Sequence, residues 1–562
     1  MTPDVDTSRE PKWFLTSFVP PSVARWLGRP ADSHSYSQIK DGRYKEYDTQ
    51  NPPAPFFQHA TASKIIQWLL GSVFPFLLPS FISARYHRTS NQSSHKIAPT
   101  SWLDGLRGIA CFIVFVYHYF YAYFETRGFT FDFTNEESGN RYFMQLPMIR
   151  ILHSGRSMVS IFFVISGFAL SHKVVMLMRS VKMQSAAERS HAILSNLASS
   201  VWRRHLRLFL PLIGTYLLVA VFVAAGWFEA VPWGENGWLK GNVEFRPARE
   251  SGLWSQLVSA AREYVKVAGP VTLFHGWVYP DYMSVYDSHL WTIPEEFHQS
   301  MLLFLVMLGL SHMKRWVRVY IFLPVFVVAS LLNGYWAMSL FIFGFLMAEV
   351  HAEVVAARET VLSPKLPGGG YSPVHDTALE RRGHERLKRV VAAIALAAGV
   401  YLCCFPDAPP DENSTTGFTT LSKWAPQQYG GEAACGFWMH VGADILVFSI
   451  VFLPAVQNIL CWRIFQYFGR ISFALYLVHG TTNRSLGHAL VHWGWRVTGA
   501  NALWAEAPVE SATLERARIA VVFAVFLVDV PVTIWMADIF WRVFDMPSVR
   551  YVRWLEGKLA RA

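Results

Sequence analysis

An arginine and a histidine lie eleven residues apart in the apolar segment WLDGLRGIACFIVFVYH, residues 102–118. Eleven residues make about three helical turns, so Arg107 and His118 share one helix face at levels roughly 16 Å apart. A neutral imidazole with a pKa near 6.5 can take a proton from a hydroxyl. Asp104 precedes Arg107 by three residues and can pair with it. The segment predicts a basic entrance that leads to a buried general base. A helix-packing histidine is the structural alternative.

Two adjacent carboxylates, Glu295 and Glu296, begin another apolar stretch within VYDSHLWTIPEEFHQS, residues 285–300. Acids in the first turn of a helix suit its dipole, which is the structural explanation for the pair. The functional alternative is that one carboxylate orients or charge-stabilises a histidine, as in a catalytic triad. His289 and His298 flank the pair and can share that role.

Three arginines lie close together in RRHLRLFLP, residues 203–211. Guanidinium groups bind phosphate oxygens in pairs, so Arg203, Arg204 and Arg207 predict a phosphate site. The alternative is that they only mark the cytosolic end of a membrane span.

Two further segments contribute candidate residues. The segment SIFFVISGF (160–168) places Ser166 within an apolar run, and ISFALYLVHG (471–480) places Tyr476 and His479 three residues apart on one helix face. Each feature alone is more typical of helix packing than of chemistry.

The elements that must hold these residues are membrane helices. Apolar residues form 52% of the 562-residue chain and charged residues only 16%, against about 25% charged residues in an average soluble domain. A span needs about 20 apolar residues, and ten segments approach this pattern. We therefore predict an all-α, polytopic membrane helix bundle of about ten transmembrane helices. The ten segments are 107–124, 157–178, 206–226, 292–311, 316–333, 335–351, 390–405, 440–460, 470–492 and 517–541.

The bundle predicts a simple domain organisation. Residues 1–63 are polar and are expected to form a mostly disordered cytosolic tail without a signal peptide. Residues 64–99 contain an apolar stretch, 65–83, whose two prolines favour an interfacial or re-entrant element over an eleventh span. The membrane domain is expected over 100–545, followed by a cytosolic tail, 546–562.

The positive charge of the chain follows the predicted membrane topology. Fifty Lys and Arg exceed forty Asp and Glu, giving a net charge of +10. The basic stretches 179–207 and 352–389 and the C-terminal tail fall on one side of a ten-span bundle, the cytosolic side. Both termini are then cytosolic, and Asn413, in a glycosylation sequon, lies outside the cytosol. The charge therefore indicates a lipid bilayer as partner rather than nucleic acid.

Cysteine usage indicates neither a disulfide framework nor a metal site. The five cysteines show no zinc-ligand spacing. From this pattern we expect no bound metal.

The motifs taken together resemble acyltransferase family 3 of integral membrane proteins, over about residues 100–545. WLDGLRG with the Arg107–His118 spacing, SIFFVISGF, RRHLRLFLP, HLWTIPEEF and ISFALYLVHG follow the order of the family's motifs. The N-terminal tail and the TIP phrase are most similar to filamentous fungal members.

The resemblance implies transfer of an acyl group, often acetyl, from acyl-CoA to a hydroxyl of a sugar, glycan, lipid or secondary metabolite. His118 and Arg107 match the family's essential histidine and arginine, and Glu296 matches its glutamate five residues after Trp291. Glu295 stands where relatives often have an apolar residue, and His479 matches a recurrent position. No permanently bound cofactor is implied; acyl-CoA is the donor substrate.

These residues lead to a hypothesis for the mechanism. CoA phosphates bind at the three arginines, the pantetheine arm passes Arg107, and His118 deprotonates the acceptor or carries the acyl group. Glu296 steadies the charge on His118.

Two other protein classes remain open on the sequence alone. A transporter can use buried His and Glu residues as a proton relay. A binding or sensor protein can keep the fold without the chemistry. The predicted location is an endomembrane or the plasma membrane.

Overall fold

The computed structural model describes residues 77–80, 82, 98–124, 131, 141–180, 185–229, 246–269, 284–362, 378–407, 416–429, 434–499 and 512–559. Helices dominate these ranges, and no strand occurs within them, as the all-α prediction requires. The helices in chain order are α1 (Ser101–Phe120), α2 (Gly155–Met178), α3 (Ala186–Ala224), α4 (Leu253–Ala268), α5 (Thr292–Leu310), α6 (Arg315–Leu332), α7 (Trp336–Leu362), α8 (Ala378–Cys403), α9 (Thr416–Lys423), α10 (Ala434–Ile450), α11 (Pro454–Leu460), α12 (Arg463–Thr482), α13 (His488–Val497), α14 (Ala512–Phe540) and α15 (Met546–Leu559).

Six of the described helical stretches are long and apolar enough to cross a membrane. They are α1, α2, α3, α6, α7 and the continuous stretch Thr513–Leu559. The chain is thus a helical protein with membrane-spanning segments. The single span predicted at 440–460 is broken, because α10 and α11 meet at 99° where Pro454 begins the second helix. Counted as one, this bent pair makes a seventh candidate span.

The count of ten spans stays a prediction. The other three predicted segments coincide with α5, α8 and the stretch that α12 begins, but these helices do not meet the combined criterion of length, hydropathy and few charges. α5 and α12 carry several of the polar residues that were singled out as chemical candidates. Polar side chains are tolerated in a span when they face other helices.

The first and twelfth helices pack side by side and run in the same direction. Near their N-terminal ends Arg107 contacts Ser472, and near their C-terminal ends His118 contacts His479. A nearly constant offset along the chain keeps the two helices in parallel register. Two of the predicted family motifs are therefore direct neighbours.

Glycines bring these helices into backbone contact. A Cβ atom added to Gly108 would lie 2.4 Å from the backbone nitrogen of Gly469, so no side chain fits there. The same holds between α2 and α7, where a Cβ on Gly167 would lie 2.2 Å from the carbonyl oxygen of Phe341. Small residues let membrane helices approach this closely, and the bundle is tight as a result.

After Thr482, the chain continues through a π-helical turn, Asn483–Gly487, into α13. α14 packs antiparallel to this stretch. Thr533 donates a 2.8 Å hydrogen bond to Thr482, and the Trp495 indole donates to the carbonyl of Arg518. A π-turn is a common mark of functional sites.

The chain divides into two compact units, residues 96–537 and a smaller unit of 1–95 with 538–562. Within the smaller unit, the Ser80 hydroxyl donates a 2.6 Å hydrogen bond to Asp538, and Arg542 donates to the carbonyl of Leu78. The predicted tail 1–63 and most of the stretch 65–83 lie outside the described residues.

Candidate active site

Two histidines meet where α1 ends and α5 begins. His118 lies in the last turn of α1, and His289 lies in a 3-10 helix, Ser288–Trp291, that leads into α5. The Nδ1 atom of His118 is 2.8 Å from the Nε2 atom of His289, a hydrogen-bond distance. The expected general base is therefore at the end of its helix, beside a second imidazole.

A buried carboxylate holds the second histidine. Asp287 accepts a 2.6 Å hydrogen bond from His289 Nδ1 and another from its backbone N–H. The guanidinium of Arg484, in the π-turn, lies 3.5 Å from the second carboxylate oxygen. Burial raises the pKa of Asp287, but its contact with the His289 ring and the charge of Arg484 outweigh burial and hold this pKa below its usual value. Asp287 is thus ionised at neutral pH.

This chain of contacts fixes where the protons lie. Because ionised Asp287 only accepts, His289 carries a proton on Nδ1, and its Nε2 is an acceptor. His118 must then donate from Nδ1, so the ring's basic electron pair is on Nε2. His118 is half-buried whereas His289 and Asp287 are buried. The arrangement Asp287–His289–His118 therefore presents one basic nitrogen at its accessible end.

A third imidazole, His479, completes the cluster. Its Nδ1 atom donates to the carbonyl oxygen of Tyr476 at 2.7 Å, and its ring centre lies 4.6 Å from that of His289. The next residue is Gly480, and the position has no room for a side chain. An added Cβ would lie 2.7 Å from His289 Nδ1 and 3.1 Å from a carboxylate oxygen of Asp287.

Tyr476 holds the backbone of His289 in place through a hydrogen bond. Its hydroxyl donates a hydrogen bond to the carbonyl oxygen of His289 and lies 2.5 Å from the hydroxyl of Thr292, which donates to it. Both groups are buried. Tyr476 therefore positions His289, a role consistent with its selection from the sequence.

The structure places Glu296 beside an arginine. Its carboxylate accepts hydrogen bonds from Arg204 at 2.6 Å and from Ser166 at 2.8 Å. Arg204 also donates to the hydroxyl of Ser300. The carboxylate that supports His118, through an intervening ring, is Asp287, where the sequence hypothesis gave this role to Glu296. Glu296 instead joins α2, α3 and α5.

The neighbouring Glu295 has a different environment. It accepts a 2.8 Å hydrogen bond from Gln299, one turn further along α5. The adjacent Trp291 approaches Trp336 of α7, with ring centres 6.4 Å apart.

The remaining predicted basic residues lie at other levels of the bundle. Arg107 donates to the carbonyl of Gly469 at 2.7 Å, contacts Ser472, and pairs with Asp104 at 3.2 Å. This position is near the end of α1 opposite His118. Arg107 thus braces α1 against α12.

The arginines of α3 also differ from one another. Arg203 donates to the carbonyl of Ser199 in its own helix, and Arg207 is exposed. Arg204 is the member of this group that forms the ion pair with Glu296.

Three residues of this site escaped the sequence analysis, and a fourth was noticed only as a neighbour. Asp287, Gly480 and Arg484 were missed, and His289 was noted as flanking Glu295 and Glu296. Arg484 gave a usable signal, since it is an ionisable residue within the predicted span 470–492.

The fold and the site define a class of protein: a helical membrane protein whose interior holds a carboxylate-supported pair of imidazoles. The model of the family described as "Acyltransferase domain" (Acyl_transf_3) matches residues 100–538. The chain belongs to this family, acyltransferase family 3, as its motifs predicted.

Curated relatives are fungal acyltransferases. An O-acetyltransferase of Phomopsis amygdali, PaAT-1, is 30% identical over 495 residues, which cover 86% of this chain and 89% of the relative. Acyltransferase R4 of a Phoma species is 27% identical over 71% of this chain and 86% of its own length. Acyltransferase clz18 of Cochliobolus lunatus is 27% identical over 63% and 73%, respectively. No solved structure matches the chain.

Proposed function

We propose that the protein transfers an acyl group, with acetyl as the expected group, from acyl-CoA to a hydroxyl of a sugar, glycan, lipid or secondary metabolite. Family membership supports a membrane O-acyltransferase. The name of the relative PaAT-1, an O-acetyltransferase, supports acetyl as the group and oxygen as its acceptor. The observation that carries the proposal is the hydrogen-bonded arrangement Asp287–His289–His118.

The proposed reaction begins at Nε2 of His118. This nitrogen takes the proton of the acceptor hydroxyl while the oxygen attacks the thioester carbonyl carbon. A C–O bond forms, the carbonyl π electrons move to oxygen, and they return as the C–S bond breaks. The departing CoA sulfur takes the proton from His118. Acyl ester and CoA thiol are the products, and the protein ends in its starting protonation state.

The buried partners of His118 stabilise the charge that this reaction creates. When His118 Nε2 is protonated, the ring becomes cationic, and His289 Nε2 accepts from its Nδ1–H. Asp287 supplies the compensating negative charge on the far side of His289. Because Asp287 and His289 are buried away from water, this electrostatic support is stronger than it would be in solution.

The donor site is proposed on α3. Arg203 and Arg207 are the residues assigned to the CoA phosphates, since guanidinium groups bind phosphate oxygens well. Arg204 is bonded to Glu296 and Ser300, so we assign it to holding α3 against α5. The pantetheine arm then passes the level of Arg107 to reach His118.

The test is a comparison of His118→Ala with His312→Ala in purified full-length protein. His312 is an exposed residue beyond the C-terminal end of α5 and serves as the matched histidine control. Thiol release from radiolabelled acetyl-CoA, with transfer of label to a panel of sugars, glycolipids and alcohols, is expected to fall at least about a thousandfold in His118→Ala only. Thermal melting checks that both variants fold.

Two results would refute the proposal. Retained transfer in the folded His118→Ala variant would remove the base. Movement of acceptor across reconstituted vesicles without any thiol release would support the transporter alternative.

A further inference from the structure

The three imidazoles at the centre of the bundle have an arrangement that also suits a metal ion. One ring nitrogen each from His118, His289 and His479 lies within 4.8 Å of the other two. We propose that this cluster binds a divalent transition metal, Zn²⁺ above all, and that the bound metal inhibits acyl transfer.

The first support comes from the nitrogens that face away from the cluster. Nδ1 of His289 donates to Asp287, and Nδ1 of His479 donates to the carbonyl of Tyr476. Histidines that bind metals almost always donate their other ring N–H to a carboxylate or a backbone carbonyl, which fixes the ring and strengthens the ligand. In this tautomer the lone pair of each ring is on Nε2, the nitrogen that a metal would bind.

The second support is the chemistry of the donor set. Three neutral imidazoles with an open fourth position form a catalytic type of zinc site. Imidazole suits Zn²⁺, Cu²⁺ and Ni²⁺, whereas Mg²⁺ and Ca²⁺ prefer oxygen ligands. His118 is half-buried whereas the other two rings are buried, so the accessible side of His118 provides both the entry and the fourth position.

Inhibition follows from the distance between two of the ligands. Nδ1 of His118 and Nε2 of His289 are 2.8 Å apart and share one proton. Two nitrogen ligands of a tetrahedral Zn²⁺ are about 3.3 Å apart, from a metal–nitrogen distance near 2.0–2.1 Å. Metal binding must therefore release the shared proton and separate the rings by about half an ångström. Once bound through Nδ1, neutral His118 carries its proton on Nε2 and cannot act as the base.

The inhibitory part of this inference rests on the proposed function, but the metal site does not. Binding is measured without turnover. Full-length protein in detergent is stripped with a chelator and titrated with Co²⁺, whose visible absorption reports nitrogen ligands in a tetrahedral site. We expect one tight Co²⁺ per chain, displaced by Zn²⁺ and unaffected by a large excess of Mg²⁺.

Variants test whether the cluster is the site. His479→Ala and, separately, His118→Ala are expected to weaken binding at least about tenfold, while His312→Ala binds as wild type does. Both cluster variants are examined, so that a folding defect in one leaves the other as the test. Unchanged absorption in a folded cluster variant, or no tight Co²⁺ in wild type, would overturn the site.

Activity then separates the two halves of the inference. Thiol release from acetyl-CoA is expected to fall as Zn²⁺ fills the site and to recover when a chelator is added. In His479→Ala the Zn²⁺ concentration for half inhibition, relative to that variant's own untreated rate, is expected to rise at least about tenfold. Metal binding with undiminished turnover, or turnover that requires Zn²⁺, would overturn the inhibitory role while leaving the site in place.

Discussion

Replacing Asp287 by Asn tests whether a buried negative charge supports His118. The substitution keeps the size of the side chain and removes its charge. Asp287 is bonded to His289 at 2.6 Å, and the ring that becomes cationic, that of His118, lies on the far side of His289. At an effective dielectric constant near 20, a charge pair about 8 Å apart is worth about 2 kcal/mol. Since 1.36 kcal/mol is a factor of ten in rate, full loss corresponds to roughly a thirtyfold lower kcat.

The assay measures thiol release from acetyl-CoA at saturating donor, with the acceptor that gives the highest rate in the panel. Asp444→Asn is the matched control, because Asp444 is also a buried aspartate and lies on α10, outside the histidine cluster. We expect kcat of the Asp287 variant to fall about ten- to a hundredfold and that of the control to change less than about threefold. A folded Asp287→Asn protein within about threefold of wild type would show that the charge does not assist the reaction.

Three further predictions address other parts of the molecule. Gly480→Ala is expected to lower kcat at least about tenfold with little change in donor KM. The reason is that the new methyl group would lie 2.7 Å from His289 and 3.1 Å from Asp287. An unchanged kcat would contradict the described packing. Charge reversal of both Arg203 and Arg207 is expected to raise the KM for acyl-CoA at least about tenfold. Arg204→Glu is instead expected mainly to lower the melting temperature, because residue 204 faces Glu296 at 2.6 Å. An unchanged donor KM in the double variant would leave Arg203 and Arg207 a topological role only. An Asn413→Cys variant is expected to react with a membrane-impermeant thiol reagent from the non-cytosolic side. Labelling is measured in sealed vesicles of both orientations. Labelling from the cytosolic side would refute the predicted topology.

The helices and half of the site could be predicted from the sequence. The apolar runs located the helices of the ten predicted segments but not α4 or α9, and the spacing of Arg107 and His118 placed both on one face of α1. The last-turn position of His118 was not predicted, because helix ends depend on where neighbouring helices leave room. The broken helix pair near Pro454 was missed for a related reason, since the apolar run continues across the break.

The other half of the site depends on contacts between distant segments. Asp287 and His289 occupy a short polar stretch before a helix, which is a common pattern for an exposed loop. Their burial depends on Gly480 and Arg484, almost 200 residues later in the chain. The pairing of Glu296 with Arg204 had the same origin, because its partner belongs to a helix that the sequence does not place next to α5.

The parallel packing of the first and twelfth helices has a consequence for biosynthesis. His118 is synthesised before its contact His479, which follows 361 residues later in the chain. At ribosomal speeds of about 5–20 residues per second, the first helix waits roughly 20–70 seconds for its neighbour. During that interval Arg107 and His118 lack the contacts that they make with α12 in the complete bundle. A premature stop codon before residue 463 would therefore remove α12 and, with it, the contacts that Tyr476 and His479 make with His289.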